Sequence, residues 1–478
     1  MLFPSKNNMR KTKIIATIGP ATACPLLIQN ILSAGADVVR LNLSHGDHKW
    51  HSARVKDIRR VAKAINKAAA IMLDLQGPRI RTGRLKNASP VNLKRGQVLI
   101  ITTKDVLGDE NVISTPYASL PRDVKKGNRI LLDNGLIELK VIKTSKTNVY
   151  CRVVNNGMLG ENKGMNLPGV NISAPTLTEK DKMDLRAALG WGIDYAAMSF
   201  VSGADDINGM RDFMKKRGYN IPIIAKVERQ EAIDNIDEIL DAADGVMVAR
   251  GDLGVEMTPQ KVPLLQKMII KKADEKGKIV ITATQMLESM VESPTPTRAE
   301  ASDVANAVLD GTDAVMLSEE TAKGKFPVNA VKMMDVIARE VEEEMSYTAW
   351  SPYHKKIIPS WAVAHSACNA ADETDAKALV IFTISGRTAL MVSKFKPVMP
   401  IIVLTPDKDV YNRLALIRGA MPLLIPFGNS TDKMLAIGEK TILESGLLKK
   451  GDTVVVVAGT TSMRGATNMM KVYKIGEK

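Results

Sequence analysis

A chain of 478 residues exceeds what one ordinary hydrophobic core supports, so two to four domains are expected, one of them large and barrel-like. Hydrophobic residues make up 45% and charged residues 25%, and no apolar run approaches the roughly 20 residues of a membrane helix, which excludes a spanning protein. The formal charge of +14 favours anionic partners, but dispersed Lys and Arg and only 4% aromatics argue against nucleic acid and suit phosphorylated metabolites.

Met1 to Arg10 is polar and mildly basic, without the apolar centre and cleavage site of a secretory signal, so a cytoplasmic location is expected. Cys24, Cys151 and Cys368 lie far apart, form no paired metal-ligand spacing and are odd in number, which points to reduced thiols rather than a disulfide framework.

From Lys13 onward, short β-branched or apolar runs alternate with longer amphipathic stretches, the pattern of βα units. Strands are predicted at Lys13 to Ile18, Val38 to Asn42, Ala70 to Leu75, Tyr195 to Phe200, Ile221 to Glu228, Gly245 to Ala249, Ile279 to Thr284 and Ala314 to Leu317. Eight such units predict a (β/α)8 TIM barrel, with polar residues gathered at the carboxyl ends of the strands, where a barrel places its site. Arg81 to Ala174, rich in Val, Ile, Thr, Lys and Gly with a turn at Asp133-Asn134-Gly135, reads as an inserted β lid domain. Thr348 to Ser360 reads as a linker, and strands predicted at Ala378 to Thr383, Ile401 to Leu404 and Thr453 to Val457 make a separate C-terminal α/β domain. The expected division is therefore barrel 1–80 and 175–347, lid 81–174, and C-terminal domain 348–478.

Lys226 and Glu228 stand two apart on one predicted strand and share a face, which at an inward strand mouth demands a metal or an anionic substrate as partner. Asp252, just past the next strand, supplies a second carboxylate, and two carboxylates with open positions suit Mg²⁺. A lone Lys-x-Glu is more commonly a structural ion pair, so the neighbours decide. Arg40 ends a strand where its planar fork can grip phosphate. The glycines of Gly245 to Gly254 let backbone amides approach an anion at a helix start, and Pro294 and Pro296 impose an extended loop before a helix near Arg298. His45, His48 and His51 have the form H-x-x-H-x-x-H, but their spacing drifts around a helix and no cysteine joins them, against a transition-metal cluster.

Together, Lys13-Ile-Ile-Ala-Thr-Ile-Gly-Pro20, Val39-Arg-Leu-Asn-Leu-Ser-His-Gly46, Asp74-Leu-Gln-Gly-Pro78, Ile224-Ala-Lys-Val-Glu228, Met247 to Glu256, Thr282 to Ser289 and Val304 to Ser318 closely resemble the pyruvate kinase family, in the family's order and from about Arg10 to the end. The resemblance implies phosphoryl transfer from phosphoenolpyruvate to ADP, giving ATP and pyruvate in the last step of glycolysis, by a homotetramer with a mobile lid and a C-terminal α/β regulatory domain. It implies that Glu228 and Asp252 hold Mg²⁺, for which Mn²⁺ can substitute, and that Lys226 stabilises the bridging oxygen while Arg40 binds the transferring phosphoryl. Thr284, Ser318 and Glu320 fall in the proton relay, the amides around Arg250, Gly251 and Asp252 receive the substrate carboxylate, and His45, Trp50, Arg81 and Lys163 lie on the nucleotide side.

In potassium-dependent relatives the position of Arg79 is Glu, and K⁺ sits among residues matching Asn42, Ser44 and Asp74. Here Arg79 replaces that carboxylate and Leu75-Gln76 replace a Thr-Lys pair, so the guanidinium is expected to stand in for the cation and K⁺ not to be required. In the C-terminal domain Thr383, Ser385, Gly386, Arg387 and Thr388 form a hydroxyl-rich, glycine-containing turn after a strand, an expected phosphate nest for an allosteric phosphometabolite: fructose bisphosphate, another sugar phosphate or AMP. A different barrel lyase sharing the Mg²⁺-enolate chemistry would not need the ADP-side residues, lid and regulatory domain together, and a non-catalytic sensor would not need Lys226, Glu228, Asp252 and Thr284.

Overall fold

The computed structural model describes residues 9–345, 359–426, 431–459 and 467–477. Eight parallel strands close a barrel in sequential order: β1 (Lys13–Thr17), β2 (Val38–Asn42), β3 (Ala70–Asp74), β4 (Tyr195–Met198), β5 (Ile223–Val227), β6 (Gly245–Ala249), β7 (Ile279–Ala283) and β8 (Ala314–Leu317). Five of the eight predicted barrel strands run one or two residues too far at an end. The trimmed residues, such as Phe200 and Thr284, have left the ladder to form the loops of the site, with φ of 57° and 69°.

Strand alternation explains the two cores. Val39 and Leu41, Ile71 and Leu73, and Ile223 and Ala225 face the surrounding helices, whereas Ile15, Val38, Met72, Ile224, Met247 and Met316 pack inside the barrel. The inward register that buries Val38, Met72 and Ile224 also carries Arg40, Asp74 and Lys226 inward two residues later, one layer nearer the strand ends. Five helices matter for the site: α1 (His48–Ala64), α2 (Glu179–Leu189), α3 (Arg250–Glu256), α4 (Val262–Glu275) and α5 (Arg298–Leu309). Helix α5 begins at the predicted place, with Thr297 as its cap and Glu300 closing a capping box.

Between β3 and β4 lies a six-stranded sheet in the order Met165–Asn166, Arg129–Leu132, Ile137–Thr144, Asn148–Val153, Val98–Thr102 and Val112–Ser114, with a small ribbon of Val91–Leu93 and Gly157–Leu159 beside it. Leu99, Ile101, Leu139, Val141, Val149 and Cys151 give it a core of its own.

The C-terminal sheet orders its strands β11-β10-β9-β12-β13, where β9 is Ala378–Phe382, β10 Ile401–Thr405, β11 Ala420–Leu424, β12 Thr453–Ala458 and β13 Met469–Lys474. The linker expectation needs correction at its end, because Pro359 and Ser360 already belong to the helix Pro359–Glu373; its other residues, 348–358, lie outside the described residues. The domain seals the amino-terminal end of the barrel. Ala415 and Leu416 enter the interior core, Tyr195 donates from its hydroxyl to the Arg413 carbonyl at 2.9 Å, and Lys13 Nζ donates to the Ala420 carbonyl at 2.9 Å. Lys394 and Lys396, both fully buried, meet Asp274 of α4, and Lys394 also meets Asp313 just before β8.

Candidate active site

At the carboxyl ends of β2, β3 and β5 three inward charges form one cluster. Arg40 Nε lies 2.7 Å from Asp74 Oδ2, and Lys226 Nζ lies 3.3 Å from Asp74 Oδ1 and 2.9 Å from Glu228 Oε1. Two hydroxyls hold the cations in place. Lys226 donates to Ser199 Oγ at 2.8 Å, Ser199 in turn donates to the Leu75 carbonyl at 2.7 Å, and Arg40 Nη1 donates to Thr17 Oγ1 at 3.0 Å. Burial alone would raise the Asp74 carboxyl, but Lys226 and Arg40 outweigh it and hold the group below the usual carboxylate range. Lys226 stays protonated well above the usual lysine range, since Asp74 and Glu228 overcome its desolvation.

Glu228 behaves differently. Its side chain is buried, Phe200 N donates to its Oε2 at 2.6 Å, and burial raises its pKa in spite of Lys226, with the charge of Asp252 adding to the rise. The ionised carboxylate is thus under-compensated, while Asp252 stands half-buried in the first turn of α3. Glu228 and Asp252 would hold a divalent cation that would supply the missing positive charge, and their hard oxygen donors fit Mg²⁺.

Helix α3 starts directly from β6. Gly251 N donates to Thr284 Oγ1 at 2.7 Å, and Thr284 donates to the Ala283 carbonyl at 2.6 Å. The Arg250 guanidinium turns away from the mouth, to Asp303 of α5 at 2.7 Å and the Thr284 carbonyl at 2.8 Å. Of this turn, therefore, the Arg250 side chain and the Gly251 amide are already engaged within the protein. Beyond β8, Glu320 is buried and accepts from Ser318 N at 2.7 Å and Leu287 N at 3.1 Å, yet burial keeps its pKa raised. Ser318 Oγ is buried with no hydrogen-bond partner among the described residues, an orphan donor that a water or ligand in the site would satisfy.

On the side facing the inserted sheet, His45 is exposed and Arg81 half-buried. Partial burial and then the charges of Arg79, Arg81 and Arg40 lower the His45 pKa, and burial with Arg79 lowers that of Arg81. Arg79, exposed at the turn after β3, therefore adds its charge to this group. Lys163 reaches Asp133 at 3.0 Å within the inserted sheet, and Trp50 packs edge-on to His51 at 4.9 Å. His48 and His51 do not converge with His45 on a common point: His48 contacts Asp184 at 2.7 Å and His51 contacts the His45 carbonyl at 2.8 Å. Asn42 Oδ1 accepts from Ser44 N at 3.0 Å, which uses the oxygen on the turn itself.

In the C-terminal domain, Thr383 Oγ1 accepts from Gly386 N at 2.9 Å and Ser385 N at 3.4 Å, closing the expected nest on its own hydroxyl. Gly386 takes φ +80°, Ser385 and Arg387 are exposed, and Thr388 Oγ1 lies 2.6 Å from Thr467 Oγ1. Ser199, Thr17 and Asp303 were not singled out as functional from the sequence. Ser199 ends a predicted strand and Thr17 lies in the first motif, but nothing near Asp303 signals its pairing with Arg250, 53 positions away.

The family model for the pyruvate kinase barrel domain matches residues 9–331, and that for the pyruvate kinase alpha/beta domain matches residues 361–473. The chain belongs to the pyruvate kinase family. Pyruvate kinase from Geobacillus stearothermophilus is 46% identical over 475 residues, covering 98% of this chain and 81% of that protein. Pyruvate kinase from Clostridium acetobutylicum is 44% identical over 473 residues, covering 98% of this chain and all of that one. A crystal structure of a pyruvate kinase from Cryptosporidium parvum superposes with a TM-score of 0.94 at 37% identity, covering 99% of this chain and 98% of the other. The activity is accordingly that of a pyruvate kinase, a phosphotransferase of glycolysis, and the family requires a divalent metal. Among the described residues no helix is long and apolar enough to cross a membrane.

Proposed function

We propose that the mouth cluster transfers the phosphoryl group of phosphoenolpyruvate to ADP and protonates the resulting enolate, with the residues in the following roles. The observation that carries this is Lys226 held at 2.9 Å from Glu228 and 3.3 Å from Asp74, beside Arg40 on the same carboxylate. Asp74 fixes both cations without being consumed, so Arg40, with Nε on Asp74 and Nη1 on Thr17, keeps Nη2 for the phosphoryl oxygens, and Lys226 remains protonated to meet charge growing on the bridging oxygen. Ser199 and Thr17 hold these two side chains in register. Glu228 and Asp252 hold Mg²⁺, or Mn²⁺ in its place. When bound, that ion neutralises charge on the substrate's carboxylate and enol oxygens.

The first turn of α3, Arg250 to Asp252, faces the substrate carboxylate through its amides, with Arg250 fixing the turn through Asp303 and the Gly251 amide available once Thr284 reorients. Thr284, Ser318 and Glu320 form the proton relay; a carboxyl raised by burial suits proton storage, and the orphan Ser318 hydroxyl suits an ordered water. His45, Trp50, Arg81 and Lys163 address the nucleotide, and the unit 81–174 moves over the site to exclude water.

K⁺ is not required in this reading. Both Asp74 oxygens already face fixed cations, Asn42 Oδ1 serves its own turn, and Arg79 brings a further charge beside Arg81 and His45. The Thr383–Thr388 turn binds a phosphometabolite by exchanging the Thr383 hydroxyl for phosphate at the Ser385 and Gly386 amides, with Arg387 as the exposed cation. A cytoplasmic homotetramer completes the proposal. Pyruvate formation measured with ADP, Mg²⁺ and K⁺ omitted in turn tests it: turnover must vanish without ADP or Mg²⁺, and pyruvate released without ADP would favour a lyase instead.

A further inference from the structure

We propose that Asn166 of the inserted sheet and Glu256 at the end of α3 form a latch that passes the position of the lid to the first turn of α3. Asn166 Nδ2 donates to Glu256 Oε1 at 3.3 Å, and among the described residues this is the side-chain hydrogen bond that joins the inserted sheet to the barrel. The turn Asp133-Asn134-Gly135 comes down on the same end of the helix: a Cβ built on Gly135, at φ +87°, would lie 3.8 Å from Val255 Cγ1. The lid therefore rests on the last turn of a seven-residue helix whose first turn carries Asp252. A helix this short moves as one piece, so a contact at Glu256 is felt at Gly251 and Asp252.

The barrel side of the latch runs back to the metal position. Arg229 follows Glu228 in the chain, its guanidinium carbon stacks 4.7 Å above the Phe200 ring, and its charge acts on Glu256. Phe200 donates its amide to Glu228. Arg229 Nε is buried and has no hydrogen-bond partner among the described residues, so this cation retains a donor for a partner that a change in lid position supplies. Glu256 is thereby tied to both carboxylates expected to hold the divalent ion: to Asp252 along its own helix, and to Glu228 through Arg229 and Phe200. Neither Asn166 nor Glu256 is assigned to the substrate or the divalent ion. They are positioning residues.

The inference rests on α3 serving the substrate carboxylate and the metal, and the test separates the two claims. Asn166→Ala and Glu256→Ala are each expected to lower kcat/KM for phosphoenolpyruvate about tenfold, the worth of one charge-assisted hydrogen bond. Because the two residues act through one contact, the double variant should be no slower than either single one. Asn166→Asp should be worse than Asn166→Ala by like-charge repulsion, and combining it with Glu256→Gln should restore activity within about twofold by re-forming the bond with donor and acceptor exchanged. Hydrogen exchange at the Gly251 and Asp252 amides, read without substrate, should quicken in Asn166→Ala and return in the exchanged pair, whether or not α3 binds the carboxylate. Losses that multiply in the double variant, no rescue by the exchanged pair, or unchanged exchange in α3 would each overturn the latch.

Discussion

The two ends of the barrel both bury lysines against aspartates, and they do so to opposite ends. At the amino-terminal end Lys394 and Lys396 are fully enclosed between the barrel and the C-terminal domain, facing Asp274 and Asp313. At the carboxyl end the Lys226 side chain keeps 12% exposure, Glu228 is left under-compensated, and Ser318 has an orphan hydroxyl. The first cluster is sealed from solvent, even though Asp313 Oδ1 there has no hydrogen-bond partner among the described residues and Lys396 is under-compensated, whereas the second opens at the strand mouth to something that arrives. A buried ion pair is by itself weak evidence of function. What marks a site is residual demand for charge and hydrogen bonds where a ligand can reach it, at a mouth that keeps some exposure.

The sharpest way to break this contrast is Lys226→Met. It should lower kcat by about a thousandfold or more, roughly 4 kcal/mol of transition-state stabilisation, in enzyme that is still folded at the assay temperature. Steady-state kinetics with melting curves reads both, and a large fall in midpoint with intact turnover would reverse the assignment. Lys394→Met should do the converse. It leaves Asp274 and Asp313 facing a missing charge, and about 3 to 5 kcal/mol of stability should go while the kcat of folded enzyme holds; urea unfolding checks it.

Lys396 sharpens the contrast by pH. Burial outweighs its attraction to Asp274 and lowers its pKa from the ordinary 10.5 to about 8. Below about pH 8 both folded and unfolded chains hold that proton, and the cost of burying the charge is present in full. From about pH 8 towards 10.5 the unfolded chain holds more, so this lysine's contribution to stability rises with pH. The stability of the wild type relative to Lys396→Met should improve by about 2 kcal/mol between pH 7.5 and 9.5, and a flat difference would mean that the lysine is not desolvated. The smallest effect concerns the monovalent ion. Omitting K⁺ at constant ionic strength should change wild-type turnover by less than about twofold, whereas Arg79→Glu should become K⁺-activated. K⁺ activation of the wild type would remove the guanidinium from its role.

Alternation made much of the barrel readable, because a period of two placed Arg40, Asp74 and Lys226 on the face that also carries Val38, Met72 and Ile224. Two strands escaped for physical reasons. β11 is apolar but contains Pro422, which argues against a strand although an edge position tolerates it, and β13 is mostly exposed and shows no apolar run. At the site, residue types pointed to Lys226, Glu228 and Asp252, but partners distant in sequence were beyond reach. Nothing local says that Asp74 bridges Arg40 and Lys226, that Ser199 props the lysine, or that Arg250 turns back to Asp303. Those facts come from strand order and helix placement.

The account turns on Lys226 acting on charge that develops during transfer rather than on the bound substrate. Phosphoenolpyruvate binding to wild type and to Lys226→Met, titrated calorimetrically with Mg²⁺ and without ADP, tests this most directly when set beside kcat. The account predicts dissociation constants within about fivefold of each other while kcat falls about a thousandfold. A loss of binding as large as the loss of kcat would contradict it, making Lys226 a substrate anchor and not a stabiliser of the transition state.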